Sequence, residues 1–186
     1  MHKTDFPPRE GLFPVPVVLV SSVDKTTGSA NIITIAWCGV VCSNPPMLSV
    51  SIRPSRYSHR LIKNTGDFAV NIPDAAMLKE VDICGIRSGK DTDKFKLCSF
   101  TPAPSRKILS PAIKECPVNI ECKVKDIISL GAHDMFIGEV LGIRADNSIL
   151  TSAKSIDYSK ISPFVYNQGE YWSLGKRIGH YGFSSK

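Results

Sequence analysis

The passage from Met47 to Ser58 carries the chemistry most readily named from sequence. Met47-Leu-Ser-Val-Ser51-Ile52 has the make-up of a strand and runs directly into Arg53-Pro54-Ser55-Arg56-Tyr57-Ser58. A phosphate group needs N–H groups, hydroxyls or cations converging on it, and a helix N-terminus supplies the first together with a favourable dipole. A strand-to-helix passage of this composition offers all three within a few residues, with Pro54 suited to the first turn of the helix. Arg56, Arg60 and Lys63 follow at i, i+4 and i+7 and share one helix face, either as a solvated surface or as an attraction for phosphate. The six cysteines (Cys38, Cys42, Cys84, Cys98, Cys116, Cys122) include no Cys-x-x-Cys pair and have no histidine at zinc-finger spacing, so no metal is implied. They are expected to be reduced and structural, Cys122 as a small core residue.

The elements that must hold this passage are mostly strands. Val15 to Val23 is rich in β-branched residues and ends at Asp24-Lys25-Thr26-Thr27-Gly28, a turn; Asn31 to Ile35 restarts a strand and makes a hairpin. Asn44-Pro45-Pro46 interrupts the chain before the strand Met47–Ile52. The period then changes. Ser55 to Asn64 reads as a helix with Tyr57, Leu61 and Ile62 toward a core and Gly66 just past its end. Phe68 to Ile72 is another strand, Ala75 to Val81 a short helix, and Asp91 to Leu97 a further turn or two with Asp91 as N-cap. Val118, Ile120, Cys122 and Val124 alternate with Asn119, Glu121, Lys123 and Lys125, a strand with one wet face. After Gly131-Ala132-His133-Asp134, Met135 to Ile143 is the return strand. Gly138 and Gly142 on one of its faces predict a bend or a close backbone approach, and Glu139 falls on the other with Ile137 and Leu141. About seven short strands with irregularly inserted helices favour a Greek-key-like barrel over a doubly wound sheet, and there is no G-x-G-x-x-G or Walker loop.

Composition narrows the class. The chain has 186 residues, 42% of them apolar, which suits one well-buried core and a single domain over 1–186. No apolar run approaches the ~20 residues of a membrane helix, and the first residues lack the apolar centre of a signal peptide. A cytoplasmic protein without membrane contact is expected. A net charge of +6 favours anionic partners. The cations are scattered, however, and the strands carry few of the aromatics on which bases stack, so nucleic acid is not expected.

Several ordered blocks together resemble one family. The run Asn31-Ile-Ile-Thr-Ile-Ala-Trp37-Cys-Gly39-Val-Val-Cys-Ser43-Asn-Pro45-Pro46-Met-Leu-Ser-Val-Ser51-Ile-Arg53 is followed by Arg56-Tyr-Ser58 and by Phe68-Ala-Val-Asn71-Ile-Pro73. Later comes Gly131-Ala-His133-Asp-Met-Phe-Ile-Gly138-Glu139-Val, similar to a Gly-Asp-His segment and its strand. These blocks resemble the flavin reductase-like family, most closely its flavoredoxins, over roughly residues 12 to 175.

The resemblance implies a mainly β fold, a split β-barrel of Greek-key-like form with a few inserted short helices. It implies FMN, rather than FAD, held non-covalently near the interface of a homodimer. Carried over by position, Asn31, Trp37, Ser51, Arg53, Ser58 and Lys94 would line the phosphate and ribityl region. Backbone around Ala36, Trp37 and Cys38 would border the ring system, and His133 and Tyr166 would lie near the ring or a nicotinamide. His133 is the catalytic candidate, because a histidine there can donate a hydrogen bond or a proton in the right pH range. Taken alone, Trp37 reads as a core or interface aromatic, Lys94 as a solvated lysine and His133 as a turn residue. Ser58 stands where many relatives have Thr and keeps the hydroxyl. Ala132 replaces the acid of Gly-Asp-His, a departure that bears on direct NAD(P)H use. The activity implied is oxidoreduction through bound FMN, with NAD(P)H or a redox protein as donor; the alternative is a non-enzymatic electron carrier.

Overall fold

The structure, a computed structural model, describes residues 1–185. Its strands are β1 (Val15–Pro16), β2 (Val18–Val23), β3 (Ala30–Ile35), β4 (Cys38–Ser43), β5 (Pro46–Ile52), β6 (Asp67–Ile72), β7 (Pro102–Ala103), β8 (Ala112–Ile113), β9 (Val118–Ser129), β10 (Asp134–Ala145), β11 (Phe164–Asn167) and β12 (Glu170–Ser173). Three α-helices, α1 (Tyr57–Thr65), α2 (Leu78–Ile86) and α3 (Lys94–Leu97), lie between them. Seven strands form one antiparallel sheet in the order β3-β2-β6-β9-β10-β5-β4. Among the described residues, no helix is long and apolar enough to cross a membrane.

The two-residue period of β2 and β3 explains why the sheet needs cover on both faces. Val18, Val20, Ile33 and Ile35 share a core with Val50 and Ile52 of β5, Phe68 and Val70 of β6, Cys122 of β9 and Phe136 of β10. Strands far apart in the sheet order thus meet across one interior, which rolls the sheet into a barrel. Ile62 of α1 fills the same interior. The alternate residues Val17, Leu19 and Ile32 face a second core made by Val81 and Cys84 of α2, Phe95 of α3, and Cys98, Phe100, Ile113 and Cys116. The barrel is therefore mainly β, with α2 and α3 on its outer face and α1 packed against its interior.

Gly138 carries the close approach expected of it: a Cβ there would sit 2.5 Å from the Phe68 ring and 2.9 Å from Cys122 Cβ. Gly142 meets nothing so close and follows a register shift between Val140 and Gly142, where β10 bulges against β9. The inward residues of β10 are Phe136, Gly138 and Val140. Glu139 lies on the opposite, half-buried face, with its carboxylate 3.8 Å from Lys125 Nζ.

Several sequence expectations are corrected. The helix begins at Tyr57 with Arg56 as N-cap, so Pro54 shapes the preceding turn and not the helix itself. Its buried residues are Ser58, His59, Leu61 and Ile62, while Tyr57 is half-buried; the end at Gly66, φ 76°, is as expected. Asp93, not Asp91, caps α3, accepting from Lys96 N at 3.2 Å. Glu121 does not lie on a wet face but is 2% exposed. The segment 104–111 covers it, and its carboxylate accepts from Arg106 N at 2.9 Å and Lys107 N at 2.8 Å. Cys38–Ser43 is a strand, paired to β5 around the turn at Asn44-Pro45. Cys84, Cys98, Cys116 and Cys122 are buried free thiols, and Cys38 and Cys42 are half-buried.

Candidate functional site

Two cavities open side by side along β3, β5 and the start of α1. The larger, about 430 Å3, is bordered by Ala36 and Trp37 from the β3–β4 turn, Ser51 from β5, and Arg53 just beyond it. His133 from the β9–β10 turn and Tyr166 from β11 complete that wall. The smaller, about 160 Å3, includes Ser58 and Lys94. Ile33, Arg56 and Gly85 border both, so the two are continuous.

Chemistry in the larger cavity is flat and aromatic, with cations at its rim. The Trp37 and His133 rings are nearly parallel, 5° apart in plane, with centroids 6.4 Å apart, and Tyr166 lies 6.3 Å from Trp37. Arg53 Nε donates toward His133 Nε2 over 3.4 Å, a long contact. Ser51 N donates to Trp37 O at 2.9 Å and so fixes the β3–β4 turn against β5. Tyr171 donates its hydroxyl to Asp82 at 3.1 Å; burial first, and then this carboxylate, push its phenol up to about 12. Such a surface suits the face of a planar conjugated ring.

In the smaller cavity each polar group has an uncommitted donor. Ser58, 2% exposed, lies in the first turn of α1, where backbone N–H groups have no intrahelical acceptor. Its Oγ accepts from Asn31 Nδ2 at 2.7 Å, which leaves the hydroxyl proton free to donate elsewhere. Asn31 Oδ1 is buried and has no partner, and a Cβ on Gly89 would fall 1.8 Å from it. Turning that amide over lets Ser58 donate to Oδ1 and frees the amide N–H groups for an incoming acceptor. Lys94, 3% exposed, donates to Cys84 O at 2.8 Å and Arg87 O at 3.0 Å, closing the C-terminus of α2. No carboxylate lies within 4 Å of its Nζ among the described residues. Burial is the main cause that lowers its ammonium to about 8; the Arg56 charge adds to the lowering, and the thiols Cys84 and Cys98 oppose it. Free hydroxyl, helix N-terminus and a buried cation with no counter-charge make the donor set of a phosphate monoester.

Two of the residues carried over by position do not line a cavity wall. Asn31 sits behind the smaller cavity, against Ser58 and Gly89. The Cys38 side chain turns into the barrel core, where burial pushes its thiol up to about 11. Arg56, read in the sequence as part of a basic face, borders both cavities. Gly85 and Gly89 went unassigned, and the glycines of the α2 end carried no signal. His59, equally unassigned, meets Asp134 Oδ2 through Nε2 at 2.8 Å and ties α1 to the residue after His133. The hydrogen bond from His59, joined by one from Ser129, holds the Asp134 carboxyl below its usual range.

The flavin reductase like domain matches residues 10–175. The chain belongs to the flavin reductase-like family. Flavoredoxin of Desulfovibrio vulgaris (Miyazaki F) is 32% identical, with a TM-score of 0.92 over the full length of both chains. Flavoredoxin from Methanosarcina acetivorans is 30% identical, with a TM-score of 0.91 and the same full coverage. An uncharacterised protein of Archaeoglobus fulgidus is 36% identical over 150 residues, 80% of this chain and 82% of that one. The split-barrel architecture of the flavin reductase-like family is thus the architecture of this chain, as its sequence resemblance implied.

Proposed function

We propose that the chain is an FMN-binding oxidoreductase that draws electrons from a reduced nicotinamide and works as a cytoplasmic homodimer. One observation carries the reading: a buried hydroxyl and a buried, uncompensated lysine at a helix N-terminus adjoin an aromatic cavity of about 430 Å3. Ser58, Lys94 and the first turn of α1 would hold the phosphate, with Asn31 keeping Ser58 in place. Trp37 and the turn at Ala36 would border the ring, and Ser51 holds that turn. Bound FMN would supply the redox chemistry, a ring that takes up a hydride and gives the electrons back. His133 would orient a nicotinamide at the open side and donate a hydrogen bond there, with Arg53 at its Nε2 fixing the imidazole. Tyr166 would shield the ring from water together with Tyr171, 6.2 Å away. Support for the homodimer comes from β4, an edge strand whose Val40 is 78% exposed beside an exposed Val41, and from Trp172 on β12.

A second reading, an electron carrier served by a protein donor, draws on the basic row. Arg56 at the N-cap of α1 and Arg60 and Lys63 on the helix are exposed, and among the described residues none has a carboxylate within 4 Å. An acidic redox protein would meet that row by charge. The test for both is an absorption spectrum of the purified protein, acid release of its flavin, and anaerobic addition of NADH and NADPH. Bleaching of the flavin band by either nucleotide supports the first reading, and a stable band supports the carrier. A protein that neither contains flavin nor takes up added FMN overturns both.

A further inference from the structure

Two thiols meet in the second core, beside the smaller cavity. Cys84 on α2 and Cys98, the C-cap of α3, have their sulfurs 3.7 Å apart. Among the described residues no other two cysteine sulfurs come within 4 Å of each other. Cys122 Sγ turns instead to Ile120 O of its own strand, at 3.9 Å. The contact has a direction. Cys98 donates to Glu80 O at 3.7 Å, which leaves its sulfur to accept from the Cys84 thiol.

The chain between these cysteines is one wall of the smaller cavity. Gly85, Arg87, Ser88, Gly89 and Lys94 all border that cavity, and all lie between Cys84 and Cys98. Lys94 Nζ ties this segment back to the end of α2 through Cys84 O and Arg87 O. One turn further along α3, Cys98 N donates to Lys94 O at 3.1 Å. A bond between the two sulfurs would close the same wall covalently, around the same lysine. The sulfurs have to approach by roughly 1.7 Å to reach the bonding distance of about 2.0 Å. Rotation of the two side chains and a small shift of α3, four residues long, can supply that.

Access differs between the two sulfurs. Cys84 is fully buried, whereas Cys98 keeps 6% of its surface. Burial pushes the Cys84 thiol up to about 12 and raises that of Cys98 as well. On Cys98 the hydrogen bond from Cys84 and the Lys94 charge work the other way. Cys98 is thus the sulfur that a small oxidant meets first and that ionises with the better support. Cys84, in contact behind it, is placed to displace whatever the oxidant leaves there.

We propose that Cys84 and Cys98 are a dithiol that a hydroperoxide converts into a reversible disulfide, stapling the wall of the smaller cavity. One peroxide balances the reaction. The Cys98 sulfur attacks the peroxide, an S–O bond forms as the O–O bond breaks, and the leaving hydroxide departs as water with the thiol proton. The Cys84 sulfur then attacks Cys98, an S–S bond forms as the S–O bond breaks, and a second water leaves with the Cys84 proton. The two sulfurs give up two electrons in all. The site depends on the fold and not on the flavin reading. Its test is treatment of the purified full-length protein with excess hydrogen peroxide, alkylation of the remaining thiols, and tryptic mapping. Trypsin should release peptides 80–87 and 97–106 joined to each other and two hydrogens lighter than their sum, and dithiothreitol should separate them. Closing a loop of about 15 residues restricts the unfolded chain, so the oxidised protein should melt about 4 °C or more above the reduced one. Cys98→Ser should show neither the link nor the rise. The mapping is read on the parent and decides even if that variant does not fold. Peptides that stay separate, or a link from either cysteine to Cys116 instead, overturn the assignment. A link that forms without raising the melting temperature overturns the staple, as does a rise that persists in Cys98→Ser.

Discussion

Asn31, Ser58 and Lys94 at one end of the site are each at most 3% exposed, and each has a partner within the fold. At the other end Trp37 is 42% exposed, and the side-chain hydrogen bond of His133 is a long one from Arg53. Groups at the buried end are prepaid for one charge and one shape, because their desolvation has already been met in folding. The open end fixes only planes and edges. A site divided in this way holds one part of a ligand tightly and leaves the reacting part accessible to a second molecule.

The sharpest way to break the comparison is to remove the buried donors. Lys94→Ala and Ser58→Ala should each weaken FMN by about 1–3 kcal/mol, the range for a lost hydrogen bond to a charged group. The two should differ in stability. Lys94→Ala also strips the Cys84 and Arg87 carbonyls of their donor and should lower the melting temperature, whereas Ser58→Ala should lower it less. Flavin titration and thermal melts of the two variants check this. Parent-like affinity in both would move the phosphate elsewhere. The rate at which remaining bound flavin is reduced should hardly change.

His133→Ala tests the open end and should do the reverse. Reduction by nicotinamide should slow by about tenfold or more, the effect of losing one hydrogen bond of roughly 1.4 kcal/mol, with FMN affinity nearly unchanged. Stopped-flow reduction under anaerobic conditions reads it directly. A parent-like rate makes His133 a turn residue. Light scattering tests whether a second copy covers β4: a dimer is expected, and a stable monomer with flavin bound would overturn that reading and leave Val40 and Val41 exposed in solution.

The same contrast governs what the sequence revealed. β2 and β3 were legible because apolar, β-branched residues run along them, as a strand with a core on each face requires. β4 was not, since Cys38-Gly39-Val40-Val41-Cys42-Ser43 lies at a sheet edge with no alternation to display. The expectation for Glu121 failed because period two predicts a face, not what a distant loop lays over it. His133 became a candidate through ordered blocks of resemblance alone, whereas Ser58 also stood in the strand-to-helix passage whose composition suits a phosphate. Gly89 and His59 escaped because their roles depend on close approaches to Asn31 and Asp134, distant in sequence.

The smallest effect expected is a slope with pH, and it belongs to Lys94 alone. Its ammonium is lowered to about 8 in the free protein, chiefly by burial, with the Arg56 charge lowering it further and the thiols of Cys84 and Cys98 opposing. A phosphate in the adjoining cavity would favour the charged form and raise that value. Below the free value the lysine is already charged, so affinity is flat. Above it, binding must take up a proton, and affinity falls until the bound-state value is reached. FMN affinity should therefore drop by about fourfold between pH 7 and 8.5, a range in which the second phosphate ionisation near 6 is already complete. Lys94→Met, which keeps the apolar stem without the charge, should bind more weakly at pH 7 and lose the slope. Titration in buffers of different ionisation enthalpy would count the proton taken up. A parent whose affinity is level to pH 8.5 would mean that Lys94 stays charged without a ligand, its ammonium serving only the two carbonyls of α2.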